Sequence, residues 1–171
     1  MYKRYCQKMC TIPSNLWKCR ELILVSLGNN QFKGRIPREI GNLTSLKFLN
    51  LGFNNLIGGI PNEIGSIPNL KILGLLDNNL DGHVPPTIFN ISTLKWLTLA
   101  NNKLSGSLPS SIGLGIPNIE VFNVGKNYFS GSFPNFITNA SRLHILELGF
   151  NLFSGFIPSA IGNGLTSICW K

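Results

Sequence analysis

The stretch LTSLKFLNLGFNNLIGGIPNEIGS, residues 43–66, decides the fold because the chain repeats it with substitutions. Six such units stand in register between residues 19 and 163, at a period of 24 with one inserted residue in the fourth. Their bounds are 19–42, 43–66, 67–90, 91–115, 116–139 and 140–163. Self-similarity at this period predicts a solenoid in which each unit is one turn and stacks on its neighbours.

Apolar residues recur at places four, seven and nine of the unit, as in Leu46, Leu49 and Leu51. Alternation around places seven and nine predicts a short strand with one buried and one wet face, and stacking aligns these strands into a parallel sheet. Place twelve is always Asn, whose amide can satisfy backbone groups that lose their partners where the strand turns inward. The predicted asparagine ladder contains Asn30, Asn54, Asn78, Asn102, Asn127 and Asn151.

Glycine and proline punctuate the second half of every unit. Place sixteen is Gly, from Gly34 to Gly155, and place nineteen is Pro, from Pro37 to Pro158. Glycine permits a positive φ or close approach of the next turn, and proline holds the residue before it extended. A short helical turn on the convex side is expected to follow each proline.

The segments FKGRIPREIGN (32–42), LIGGIPNEIGS (56–66) and FSGFIPSAIGN (153–163) resemble the plant subtype of leucine-rich repeat. That subtype occurs in ectodomains of receptor-like kinases, receptor-like proteins and polygalacturonase inhibitors. The resemblance covers residues 19–163 and implies an α/β solenoid, a right-handed superhelix with a concave parallel β-sheet and short helical turns on the convex side.

The same resemblance implies a non-catalytic recognition module, a fragment of a receptor-like kinase ectodomain on the extracellular side of the plasma membrane. Its expected partners are a peptide or protein ligand and a co-receptor. Two alternatives stay open: a secreted inhibitor resembling the polygalacturonase inhibitors, and a truncated product with no independent function.

Composition and charge argue against a nucleic-acid partner. Charged residues make up only 13% of the 171, and the net charge is +8. Residues 19–163 hold ten basic and seven acidic side chains, so most of the excess charge lies at the two ends. No basic stripe with interleaved aromatics occurs, and we therefore expect no nucleic-acid binding.

Residues 1–18 and 164–171 are degenerate or partial units. TIPSNLWK (11–18) matches the end of a repeat and GLTSICWK (164–171) restarts one, whereas MYKRYCQKMC (1–10) matches nothing. We expect both ends to be cuts through a longer array, with exposed end surface that favours association. Neither a secretory signal nor an apolar run long enough to span a membrane is visible.

The cysteines and histidines give no catalytic or metal pattern, and no cofactor is expected. Cys6 and Cys10 lack a second pair of ligands at zinc-finger spacing, and a bridge between them stays open. Cys19, at the core-facing first place of its unit, is expected to be a buried thiol. His83 and His144 lie in different columns and are expected to face solvent.

Places eight, ten, eleven and thirteen are predicted to line the concave face, where small and amide residues with a few aromatics suit an extended peptide or a protein surface. The sixth place is an apolar column, interpreted either as edge packing or as a partner-binding strip. Lys47, Lys71 and Lys95 at place five are interpreted as a solvated row. The candidate ligand-binding residues are Asn29, Gln31, Asn50, Phe53, Asn55, Leu76, Asp77, Trp96, Thr98, Asn101, Lys103, Asn123, Lys126, Tyr128, Glu147 and Phe150.

Three N-glycosylation sequons begin at Asn42, Asn90 and Asn139. All three asparagines occupy the last place of their unit, on the loop that leads back to the strand. A residue there is expected to be exposed and able to carry a bulky glycan.

Overall fold

The computed structural model describes residues 11–135, 140–156 and the backbone of a strand at 167–169. Cys6, Cys10 and Asn139 lie outside the described residues, and of Cys169 only the backbone is described. Within the described part, the chain winds through successive turns that each contribute a strand to one or both of two sheets.

The first sheet is built from places six to eight of each unit and is parallel, as predicted. Strands pair place for place, so that Leu49 lies opposite Leu73 and Leu73 opposite Leu97. Across the described residues the sheet has seven strands in chain order. They are β1 (Leu24–Ser26), β3 (Phe48–Asn50), β5 (Ile72–Gly74), β7 (Trp96–Thr98), β9 (Val121–Asn123), β11 (Ile145–Glu147) and β13 (Ser167–Cys169).

A second parallel sheet, which the sequence pattern did not reveal, follows the ladder asparagines. It is staggered by two places per turn, since Asp81 lies opposite Lys103 and Ser107 opposite Ser130. Glycine at place sixteen interrupts these strands with a positive φ, 88° at Gly34 and 91° at Gly106, as predicted for that column. The strands are β2 (Lys33–Gly34), β4 (Asn55–Gly58), β6 (Asn79–His83), β8 (Lys103–Ser107), β10 (Tyr128–Ser132) and β12 (Leu152–Ser154).

Short helical turns complete the units, as the proline column predicted. Among the described residues four are complete 3₁₀ helices, and each begins after a proline with a ψ between 130° and 154°. The inserted residue of the fourth unit converts its turn into one turn of α-helix. The helices are η1 (Ser14–Lys18), η2 (Arg38–Asn42), η3 (Asn62–Ser66), η4 (Pro86–Asn90) and α1 (Ile112–Gly115).

One apolar core runs through the stacked turns. Leu46, Leu49 and Leu51 are all 0% exposed, and their counterparts in the next two units are buried equally. Fully burying a leucine side chain contributes about 1.5–3 kcal/mol to the free energy of unfolding. Because neighbouring turns cover these leucines, each turn depends on its neighbours for this contribution.

Cys19 is exposed, so the prediction that it is a buried thiol is wrong. The equivalent Leu43 and Ile67 are 0% exposed because each is covered by a complete preceding turn. Beneath Cys19 the described chain supplies only η1 and the residues before it, and its Sγ lies 3.9 Å from the Asn15 carbonyl oxygen. Cys19 therefore sits at the rim of an apolar opening that is also lined by Leu16, Leu27 and Phe32.

The ladder asparagines bind backbone groups of two turns at once. The Asn54 amide nitrogen donates to the carbonyl oxygens of Leu51 in its own turn and Leu27 in the preceding turn, both at 2.9 Å. Its Oδ1 accepts the Phe32 N–H at 3.0 Å. The same bonds recur at Asn78, Asn102, Asn127 and Asn151. Each amide thus fastens its turn to the one before.

Candidate ligand-binding face

The sixth and eighth places project from the same, solvent-facing side of the first sheet. In β1 the buried Val25 separates the exposed Leu24 and Ser26, because side chains alternate along a strand. The sixth place faces solvent and not the core: Leu24 is 57% exposed and Trp96 46%, and both interpretations of the column, edge packing and a partner-binding strip, stay open. We name this column the apolar row, and its members are Leu24, Phe48, Ile72, Trp96, Val121 and Ile145.

The apolar row is straight across the strands. Phe48 lies opposite Leu24 on one side and Ile72 on the other, and Ile72 lies opposite Trp96. Adjacent strands are about 4.8 Å apart, so six residues span about 24 Å. The row is therefore long enough for several residues of an extended chain.

Place five supplies a charged border to the apolar row. Lys95 Nζ lies 2.7 Å from Glu120 Oε1, and Trp96 Nε1 donates to Glu120 Oε2 at 3.3 Å. These two hydrogen bonds, that from Lys95 first, lower the pKa of the Glu120 carboxyl. Glu120 therefore neutralises Lys95 and fixes the indole of Trp96 from the adjacent strand.

Lys47 and Lys71 occupy the same border and are exposed. Within residues 11–135 and 140–156, neither lysine forms an ion pair. The two free ammonium groups of this border thus stand together beside Phe48 and Ile72. The predicted solvated row describes these two lysines but does not describe Lys95.

Place eight forms the opposite, polar border. Asn50 Oδ1 accepts the Gly52 N–H at 3.0 Å, and Asn123 Oδ1 accepts the Gly125 N–H at 3.1 Å. The Asn123 amide also donates to Glu147 Oε2 at 2.6 Å. These bonds orient the amide side chains next to the apolar row.

Place eleven has left-handed backbone in all six units, which sequence reasoning missed. The φ angles lie between 53° and 58° even where the residue is Phe53 or Lys126. Asn and Asp tolerate this region best, which accounts for Asn29, Asp77 and Asn101. The residues join at the surface, since the Asn101 amide donates to Asp77 Oδ1 and Lys126 Nζ lies 6.0 Å from the Phe150 ring centroid.

Place thirteen lies beyond the ladder, at the start of the second sheet, and not on the first sheet with place eight. Asn55, Lys103 and Tyr128 are the first residues of β4, β8 and β10, and Gln31 precedes β2. The chain passes through the left-handed residue of place eleven and the ladder asparagine of place twelve before it reaches them.

All the predicted ligand-binding residues are exposed or half-buried, including Leu76, Thr98 and Glu147. The sequence indicated the sixth place as an apolar column, but the candidate ligand-binding residues included only Trp96 of the apolar row and did not include Glu120. The signal was present, because strict alternation places both neighbours of a buried place seven on the solvent side.

The sequon residues Asn42 and Asn90 are exposed at the last positions of η2 and η4. His83 and His144 are also exposed. In the described part of the chain no cluster of three or more His, Cys, Asp or Glu side chains is placed to hold a metal ion. None of the described helices is long and apolar enough to cross a membrane.

The family model described as Leucine Rich Repeat matches residues 21–43, 45–67, 93–114 and 142–164. These segments amount to more than half of the chain. None of the curated proteins matches the sequence.

Solved structures show the same architecture. The ectodomain of the Arabidopsis thaliana membrane receptor kinase GASSHO1/SCHENGEN3, in complex with CASPARIAN STRIP INTEGRITY FACTOR 2, is 33% identical with a TM-score of 0.86 over 94% of this chain. The Arabidopsis receptor kinase HAESA, in complex with the peptide hormone IDA and the co-receptor SERK1, is 33% identical with a TM-score of 0.84 over 88%. The chain spans only 19% and 25% of those two proteins.

A smaller ectodomain is also similar. That of the receptor kinase SOBIR1 from Arabidopsis thaliana is 32% identical with a TM-score of 0.72, and the match covers 77% of this chain and 72% of that one. The similarity to plant receptor-kinase ectodomains therefore extends from long arrays to short ones.

Proposed function

We propose that this chain, which belongs to the leucine-rich repeat family, is a non-catalytic ligand-recognition module. It is a segment of a plant receptor-kinase ectodomain, acts on the extracellular side of the plasma membrane, and binds a peptide or protein on its concave face. Six repeats occupy residues 19–163 between the partial units 1–18 and 164–171.

The apolar row carries this proposal. A soluble domain rarely leaves a continuous line of large apolar side chains in water, and such a surface usually marks an interaction site. Here the line includes Trp96, the residue type most enriched at interface hot spots, and Glu120 holds the indole in one orientation. Two similar ectodomains were crystallised with CASPARIAN STRIP INTEGRITY FACTOR 2 and with the peptide hormone IDA, which supports a ligand of peptide or protein type.

The convex side is proposed to carry the glycans. Asn42 and Asn90 would place them at the ends of η2 and η4, away from the first sheet, so that occupied sites leave the concave face open. Asn139 is the third residue proposed to carry a glycan. Peptide mapping by mass spectrometry of the chain secreted from plant cells, with and without glycosidase, tests this assignment.

The function is tested with the immobilised full chain and the small-peptide fraction of plant extracellular fluid. Retained peptides are identified by mass spectrometry, resynthesised and titrated calorimetrically against the chain and two variants. Phe48→Asp introduces a charge into the apolar row, and Glu39→Lys changes an exposed residue of η2 on the convex side. We expect saturable binding that Phe48→Asp abolishes and Glu39→Lys leaves unchanged.

The proposal is wrong if no resynthesised peptide binds saturably, or if both variants weaken binding to the same extent. Circular dichroism of both variants provides the folding control. A loss confined to Phe48→Asp in a folded protein locates the ligand on the first sheet.

A further inference from the structure

We infer that the apolar row takes an extended peptide that combines bulky apolar side chains with acidic groups, the acidic groups contacting Lys47 and Lys71. This inference rests on the proposed function and names the chemical class of its ligand. It is carried by the distribution of free and neutralised charge along the row.

Among the place-five residues that border the row, the lysines without an ion pair lie at one end. Lys47 and Lys71 stand on neighbouring turns, and the Lys71 N–H donates to the Lys47 carbonyl oxygen at 2.8 Å. Their side chains therefore leave adjacent strands about 4.8 Å apart and can contact one carboxylate together. Lys95 does not contribute, because Glu120 already neutralises it.

The negative charge lies at the other end. Glu147 borders Ile145 without an ion pair in the described residues, whereas Glu120 beside Val121 is already paired with Lys95. Asp77 belongs to the same repeat as Lys71 but lies at place eleven, beyond the opposite end of β5. Its Oδ1 accepts a hydrogen bond from the Asn101 amide. The electrostatic attraction of an acidic ligand is therefore strongest when its charge lies over residues 43–66 and 67–90, the units of Lys47 and Lys71.

The apolar partners stand beside the free lysines. Phe48 and Ile72 are half-buried on the strands that follow Lys47 and Lys71, and Trp96 is the next member of the row. Because the indole is already oriented by Glu120, a ligand that packs on it spends little conformational entropy on ordering the site. The apolar row is therefore an ordered apolar surface with two unpaired lysines, Lys47 and Lys71, at one end.

A peptide that lies over the first sheet can be recognised only through side chains. Strands β3, β5, β7, β9 and β11 are each paired on both edges, so a peptide over them finds no free backbone edge to extend. It must lie across the strands and contact projecting side chains. A row of about 24 Å accommodates roughly seven extended residues.

The test uses three acetylated and amidated fluorescent heptapeptides that alternate leucine with glutamate, glutamine or lysine. Fluorescence anisotropy with the full chain at low salt is expected to give about fivefold tighter binding for the glutamate peptide than for the glutamine peptide, and weaker binding still for the lysine peptide. High salt is expected to reduce this preference because it screens exposed charges.

Three variants assign the preference to the site. Lys47→Glu combined with Lys71→Glu is expected to reverse the order of the glutamate and lysine peptides. Lys33→Glu combined with Arg35→Glu makes the same change in net charge on and beside β2 and is expected to leave the order unchanged. Trp96→Ala is expected to weaken the binding of all three peptides without changing the circular dichroism spectrum of the protein.

Three results would overturn the inference. If the three peptides bind equally and Trp96→Ala weakens all of them, the concave face binds peptides but does not select acidic ones. If no heptapeptide binds, the ligand class is wrong, and the calorimetry with native peptides decides separately whether the concave face is used. A preference that the Lys33 and Arg35 variant removes as strongly also contradicts the assignment.

Discussion

The central turns and the first complete turn have nearly the same sequence pattern but different surroundings. Leu51, Leu75 and Leu99 at place nine are 0% exposed, whereas Leu27 at the same place is only half-buried. Asn102 is 9% exposed and Asn30 is exposed. A residue's contribution to stability is therefore set by the turn packed against it as much as by its place in the unit.

The hydrogen bonds show why the difference arises. Asn102 donates to Leu75 in the preceding turn and to Leu99 and Ala100 in its own. Asn30 donates only to Leu27 and Gly28 of its own turn, as far as the described residues show. The cross-turn bond is the part of the ladder that distinguishes a central unit, and four sets of substitutions test how far this difference extends.

Replacing leucine at place nine should give the largest contrast. Leu99→Ala is expected to lower the free energy of unfolding by about 3 kcal/mol, since it removes a fully buried side chain and leaves a cavity. Leu27→Ala is expected to lower it by roughly half as much, because solvent already reaches Leu27. Urea denaturation followed by circular dichroism measures both, and equal losses would contradict the dependence on the neighbouring turn.

The ladder amide comes next. Asn102→Ala is expected to destabilise the protein by about 2 kcal/mol, because the buried Leu75 and Leu99 carbonyls and the Leu80 N–H lose a partner. Asn30→Ala should lower stability by less than half of that. Asn101→Ala, at the adjacent exposed place, is the matched control in thermal unfolding. If Asn101 and Asn102 gave equal shifts in Tm, the ladder would not stabilise the stack.

The left-handed residues should show no contrast at all. Asn29 in the first turn and Asn101 in a central turn have φ of 57° and 55°. Replacement by alanine is expected to destabilise each site by about 1 kcal/mol, because the strain is local to the residue. Chemical denaturation of the two variants should agree within experimental error. A markedly larger loss at Asn101 would mean that its bond to Asp77 matters more than the backbone.

The smallest expected effect is a pH dependence of the free energy of unfolding, which arises from the Glu120–Lys95 ion pair of the central turns. The folded-state pKa of Glu120 is lowered, first by Lys95 and then by Trp96. The stability it contributes is therefore complete above the ordinary glutamate pKa of about 4.3 and is lost as the pH falls through the lowered folded-state value.

Thermal unfolding of the chain and of Glu120→Gln, measured from neutral to strongly acidic pH, isolates this contribution. The difference in Tm between the two proteins should be constant at neutral pH and should shrink on acidification, because the other carboxylates titrate alike in both. A difference that stays constant through the acid range would show that the Lys95 pair adds no stability.

Much of the architecture followed from single columns of the repeat. Alternation around Leu49 predicted the first sheet, the asparagine column predicted the ladder bonds, and the proline column predicted short helices after Pro37 and Pro61. These features depend on contacts that recur in each turn, so the period itself encodes them.

The features that were missed depend on how turns are offset or interrupted. The second sheet pairs place fifteen with place thirteen of the next turn, as at Asp81 and Lys103, and place eleven has a positive φ even at Phe53. Neither offset nor backbone sign is visible in a column of letters. Cys19 was misjudged because its column gives no information about the completeness of the preceding turn, and Glu120 because its two partners lie on another unit.

The ladder also determines which amide protons of the protein exchange with solvent, and in which order. The N–H groups of Leu56, Leu80 and Leu104 are each held by the asparagine side chain of the following turn. Such a proton stays protected only while that next turn remains docked, although the N–H itself belongs to the turn before. Hydrogen exchange at place fourteen therefore measures, one unit at a time, how far the array has frayed from its C-terminal side.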